Sequence, residues 1–174
     1  MDDKEAKDIV RWLIRVEYPS KAPTHREDLF ADLLRIGISK KRILNSKPTL
    51  KTRKTIEELY KLLKYEEKDY DIKAIITLRL CMELFVGEEY SFFVPELKRR
   101  YNLEPKDSVF YSQHLEHDRK QKPIREGGYS HSDRFSKILI SLVDSPQKLV
   151  IAQKFILSCY KVKSGFYNQF SKKL

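Results

Sequence analysis

Apolar positions recur at intervals of three and four along most of the chain, the spacing that lines one face of an α-helix. Ala6, Ile9, Val10, Leu13 and Ile14 form such a stripe over residues 4–17, which Tyr18-Pro19 ends. Thr24 is placed to cap a second helix, with Glu27 three residues on to complete a capping box. Phe30, Leu33 and Leu34 predict the buried face of that helix, and Gly37 its end. Ser39 then opens a short helix before Asn45 and Pro48. Residues 52–65 carry another stripe through Ile56, Leu59, Leu62 and Leu63. Residues 71–86 are apolar nearly all round, which predicts a central helix.

Pro95 is suited to the first turn of the next helix, over 95–103. The texture then changes. "SVFYSQHLEH" begins like a β-strand and "DRKQKPIREGG" is a polar turn region, so a small β-hairpin or extended pair is expected around residues 108–131. A helix follows over "SKILISLV", Pro146 opens a last long one, and residues 168–174 form a basic tail. The expected class is mainly α, a single compact helical domain over residues 1–174, with no internal repeat.

Composition sharpens this picture. At 174 residues the chain is long enough for one well-packed core. Lysine and arginine number 35 against 25 acidic residues, a net charge of +10. Such an excess favours polyanions, because each neutralised phosphate releases condensed counterions. The two cysteines, Cys81 and Cys159, sit in apolar stretches and read as buried thiols of a reducing compartment. No apolar run reaches the ~20 residues that cross a bilayer, and the charged N-terminus lacks a signal-peptide core. A cytoplasmic, nucleoid-associated protein with no membrane partner is expected. Lys, Glu, Ile, Leu and Tyr dominate over Asn, Gln, Met and Cys, a bias like that of hyperthermophile proteins.

Three chemistries compete for the polar residues. His114, Asp118 and Gln121 are spaced four and three apart, as in the His-x3-Asp-x2-His pattern of haem-oxygenase-like di-iron oxidases, which they resemble; Glu83 would be a further ligand. Gln121 is a poor substitute for imidazole at iron, and Pro123 with Gly127-Gly128 interrupts the helix such a site needs. "DLFADLLRIGISKKRIL" has the outline of a helix-turn-helix, but the segment from Ser39 to Leu44 is short for a recognition helix. No nucleophile–base pair and no carboxylate cluster stands out for metal-assisted phosphoryl transfer, and "DYD" at 69–71 reads as a helix cap. No catalytic site of its own is expected.

The third candidate draws on separated segments. Arg26 opens a helix that ends at Ile36-Gly37. Phe110 or Tyr111 precedes His114, Tyr129 leads to Ser136-Lys137-Ile138, and Ala152-Gln153-Lys154-Phe155 lies in the last helix. In this order the set resembles the C-terminal domain of the large subunit of archaeal and eukaryotic DNA primase. That domain holds a [4Fe–4S] cluster on four cysteines. Here Ser136 and Ala152 stand where two of them would fall, so the resemblance is to the iron–sulfur-free accessory subunit type of archaeal primases, PriX. Residues 45–95 have no counterpart and would be an insertion.

The resemblance implies a subunit with no cofactor that binds a nucleoside triphosphate. Its implied partners are the catalytic and large primase subunits, template DNA, and an RNA or DNA primer. Arg26 would hold phosphate with His25 beside it. His114, His117, Arg119, Lys122 and Arg125 would add cations, and Tyr111 or Tyr129 would stack a base. An apolar, partly exposed face would dock the catalytic partner.

Overall fold

The computed structural model describes residues 1–20, 23–64, 68–112, 114–115 and 131–171. Among these every regular element is helical. The elements are α1 (Lys4–Glu17), α2 (His25–Arg35), α3 (Lys40–Leu44), α4 (Leu50–Leu62) and α5 (Tyr70–Thr77). A π-helical segment (Leu78–Leu84), α6 (Phe85–Tyr101), a 3-10 turn (Pro105–Asp107), α7 (His131–Leu142) and α8 (Pro146–Ser171) follow.

Helix ends are written locally, and there sequence and structure agree. The Thr24 hydroxyl accepts from the Glu27 amide while the Glu27 carboxylate accepts from the Thr24 amide at 2.7 Å. At the other end of α2, Gly37 adopts φ +85°. The Ile38 amide bonds the Leu33 carbonyl and the Gly37 amide bonds that of Leu34, closing a Schellman motif. Ser39 caps α3 by accepting from the Arg42 amide. Asn102, at φ 55°, ends α6 in the same left-handed manner as Gly37.

Buried faces are set by tertiary packing, and several differ from expectation. In α2 the fully buried residue is Asp32, and Leu34 is exposed. In α4 Thr55 is buried and Ile56 exposed; the Thr55 hydroxyl is satisfied by the Lys51 carbonyl at 3.0 Å. In α1 the buried stripe is Ala6, Ile9 and Leu13, with Ile14 outside.

The chain divides into two compact units: Met1–Lys7 with Lys47–Glu83 and Ser132–Leu174, and Asp8–Ser46 with Leu84–His131. Residues 45–95, expected as an insertion, are therefore shared out between both. In the first unit α8 packs against α4 and α5. Ile72, Ala74, Ile75 and Ile76 of α5 are buried there with Phe135, Ala152, Phe155 and Cys159. Cys159 lies 3.8 Å from the Thr77 hydroxyl, and Lys163 donates to the Cys81 carbonyl at 3.0 Å. A hydrogen bond to Cys81, then burial, push the Cys159 thiol far above its ordinary range. Both thiols are buried, as their apolar setting predicts.

Three expectations are corrected, and a fourth, the cap at 69–71, holds in position but without its side-chain bond. The run 71–86 is not one α-helix: it turns π-helical at Leu78, where the 3.6-residue count lapses. Pro95 lies inside α6, not at its start. It removes the amide that would bond the Ser91 carbonyl, and burial of neighbouring Val94 accompanies the helix through this defect. Asp69 stands at the cap position of α5 without a side-chain cap bond, while Asp71 accepts from the amides of Asp2 and Asp3 at 2.8 and 2.6 Å. The β-like stretch at 108–115 forms no strand where it is described; Tyr111–Ser112 and His114–Leu115 are helical. The remainder of the expected hairpin, residues 116–130, lies outside the described residues. The basic tail is helical as far as Ser171.

A β-carbon at Gly37 would meet nothing within 4 Å, so alanine there tests the backbone alone. Gly37→Ala is expected to lower stability by about 1 kcal/mol, read from urea denaturation.

Candidate nucleotide-binding site

In the second unit a buried carboxylate joins two distant segments. Asp32 Oδ2 accepts from the Ser108 hydroxyl at 2.6 Å and from the amides of Phe110 and Tyr111 at 3.0 and 3.3 Å. Oδ1 accepts from the Val109 amide at 3.0 Å and from Arg35 Nη1 at 3.2 Å. Arg35 also bonds the Asp107 carbonyl. The amides opening a helical turn need acceptors, and Asp32 supplies them from another helix. Ser108 adds a local one, accepting from the Ser112 amide at 3.1 Å. Burial raises the pKa of Asp32, but the bonds from Ser108, Val109, Phe110 and Tyr111 outweigh it and leave the carboxyl below its ordinary range. Burial and the Asp32 charge push the Tyr111 phenol up.

This clamp fixes the segment that carries His114. The His114 ring stands 4.5 Å from that of His25, at the first position of α2, and 4.4 Å from that of Phe110. His114 Nδ1 lies 2.7 Å from the Phe110 carbonyl, and His25 Nδ1 against the Glu17 carboxylate. Neither oxygen can donate, so each Nδ1 carries a proton. Arg26, the next residue of α2, is exposed. Tyr90 of α6 backs the pair, 5.7 Å from His114 and 5.3 Å from Tyr111.

His25 and His114 are thus in ring contact, Tyr111 meets the same Tyr90 ring as His114, and Arg26 is next to His25 in sequence. His117, Arg119, Lys122, Arg125 and Tyr129 lie outside the described residues. So do Asp118 and Gln121 of the di-iron pattern and the side chain of Glu83. Among the described residues no cluster of three His, Cys, Asp or Glu is placed to hold a metal ion. The helix-turn-helix outline is occupied by α2 and a five-residue α3. At the two positions matched to cluster cysteines, Ser136 accepts from Arg79 Nε at 2.8 Å and Ala152 is buried.

The capping box matters for what α2 can bind. Its first turn already carries Glu27 and Asp28, so the helix end offers a phosphate no spare positive field. Recognition must come from side chains. A cavity of about 660 Å³ in the first unit has the wrong sign for phosphate. It is lined by Asp2, Asp3, Asp69, Asp71 and Asp144 against Lys68 and Lys148, and Lys148 is paired with Asp144 at 2.9 Å.

Sequence reasoning missed Asp32, Glu17 and Tyr90. Ser108 was the available signal: a serine before a short apolar run is a helix cap as readily as a strand start.

No protein-family model matches the chain, and neither a curated protein nor a solved structure matches it.

Asp32→Ala strands several buried donors and is expected to cost roughly 3 kcal/mol in urea denaturation. Because folding lowers the Asp32 pKa, its contribution is complete above the unfolded value of about 4 and fades as pH falls below it, through the folded value. Asp32→Asn should remove that part of the acid dependence of stability.

Proposed function

We propose that this protein is a non-catalytic accessory subunit of a heteromeric DNA primase, which holds the initiating nucleotide or the primer's 5′-triphosphate near template DNA. The observation that carries this reading is the ring contact between His25 and His114. It joins the start of α2, and with it Arg26, to the segment that precedes the cation-rich stretch 117–125. His114, which opens the second segment that the primase resemblance requires, stands beside His25 of the first, and this supports the reading.

Initiation needs two nucleotides to meet before any duplex holds them. Fixing one by its triphosphate makes that encounter an oriented one, a gain by proximity that needs no acid–base chemistry. The arginine fork of Arg26 suits paired phosphate oxygens and stays charged at any working pH. His25 and His114 would add ring N–H groups, and Arg119, Lys122 and Arg125 would complete the set. The net charge of +10 draws template and primer to the same protein. Bond formation itself would belong to a catalytic partner. The exposed Leu149, Val150, Leu157 and Tyr160 of α8 offer an apolar face for such a partner. In this role the protein works in the cytoplasm, at the nucleoid.

Fluorescence anisotropy with a primer–template bearing a 5′-triphosphate, against the same duplex with a 5′-hydroxyl, tests the reading. The triphosphate should bind about tenfold more tightly, and Arg26→Ala should abolish that difference. Within the reconstituted primase, Arg26→Ala should stop initiation and spare extension of a preformed primer. Equal affinity of the unaltered protein for both duplexes, or equal loss of initiation and extension, would overturn it.

A further inference from the structure

The second unit holds a row of aromatic rings that leads outward from the histidine pair. From His114 the row passes to Tyr90 at 5.7 Å and from Tyr90 to Phe93 at 6.3 Å. Its inner rings, His114 and Tyr90, are half-buried, and its outer end is open: Phe93 is 48% exposed. The Tyr90 ring meets Phe93 edge-on, at an interplanar angle of 63°, which braces the Phe93 ring from behind. An exposed phenylalanine alone is ordinary. One that ends a braced row of rings, on a strongly basic protein, is placed for a ligand with both a flat apolar surface and negative charge.

We propose that Phe93 is a stacking platform for an unpaired base of single-stranded nucleic acid. The idea rests on the nucleic-acid part of the function proposed above and extends it from the phosphate to the neighbouring strand. Two features favour a nucleotide over an apolar protein segment. The first is charge: on a chain of net charge +10, Lys98, Arg99 and Arg100 gather at the C-terminal end of the same helix, with Glu96 and Glu104 as their ion-pair partners and Glu88 and Glu89 toward its other end. The second is register. Residues 93 and 100 are two turns apart on one helix face, so a base on Phe93 leaves its phosphates within about 10 Å of the Arg100 position. Phe92 is 74% exposed but points about 100° away from that face. It is the natural control.

The probe is a twelve-residue oligothymidylate with one 2-aminopurine, whose fluorescence is quenched on stacking. The unaltered protein should bind and quench it. Phe93→Ala should weaken binding about tenfold and abolish the quench, Phe93→Trp should restore both, and Phe92→Ala should change neither. Phe93→Leu keeps the apolar volume and loses the π-face, so it should behave like alanine. Recovery with leucine would overturn the proposal in favour of an apolar protein contact, and so would an undiminished quench in Phe93→Ala. Phe93→Ala should keep the 5′-triphosphate preference that Arg26→Ala loses. Failure of the triphosphate site and failure of the stacking platform are thus separately visible.

Discussion

A carboxylate shielded from water is tolerated only where donors replace its hydration, and in the second unit Asp32 is that carboxylate. Its oxygens collect one hydroxyl, three backbone amides and one guanidinium, all but the last from residues 108–111. Everything proposed for the site depends on this clamp. It sets the helical turn that carries Tyr111 and His114 at a fixed place on α2, so His25 and His114 meet. The arrangement is densely hydrogen-bonded at Asp32 and more exposed at Arg26 and Phe93.

The charge distribution points the same way. The acidic cavity of the first unit repels what the basic surface attracts, and the first turn of α2 spends its dipole on its own Glu27 and Asp28. A phosphate would have to be read by side chains whose charge does not come from the backbone. Arginine, with its planar fork, and histidine, with its proton on demand, answer that need differently.

Much of the fold was legible because helix ends are written in a few adjacent residues. Thr24 with Glu27, Gly37, Ser39 and Pro146 each act within one turn, and each falls at an end where the chain placed it. What packing decides was less legible. The "SVFY" run has β-forming residues, but four donors find one carboxylate on α2, and the helical turn wins. The lapse at Leu78 has no residue signature at all. Pro95 reads as a helix start by every local rule, but it sits mid-helix. Among the site residues, Arg26, His25, Tyr111 and His114 were singled out by their types and order. Asp32, Tyr90 and Phe93 were not, because an aspartate amid leucines and a pair of phenylalanines carry no spacing that marks them.

The uneven placement of two rare residue types has a practical consequence. Both cysteines of the chain, Cys81 and Cys159, belong to the first unit, and its single tryptophan, Trp12, belongs to the second. Thiol trapping therefore times the opening of one unit, and indole emission follows the other, with no label added. Agreement or disagreement between the two signals measures directly whether the protein melts as one cooperative body or in two steps.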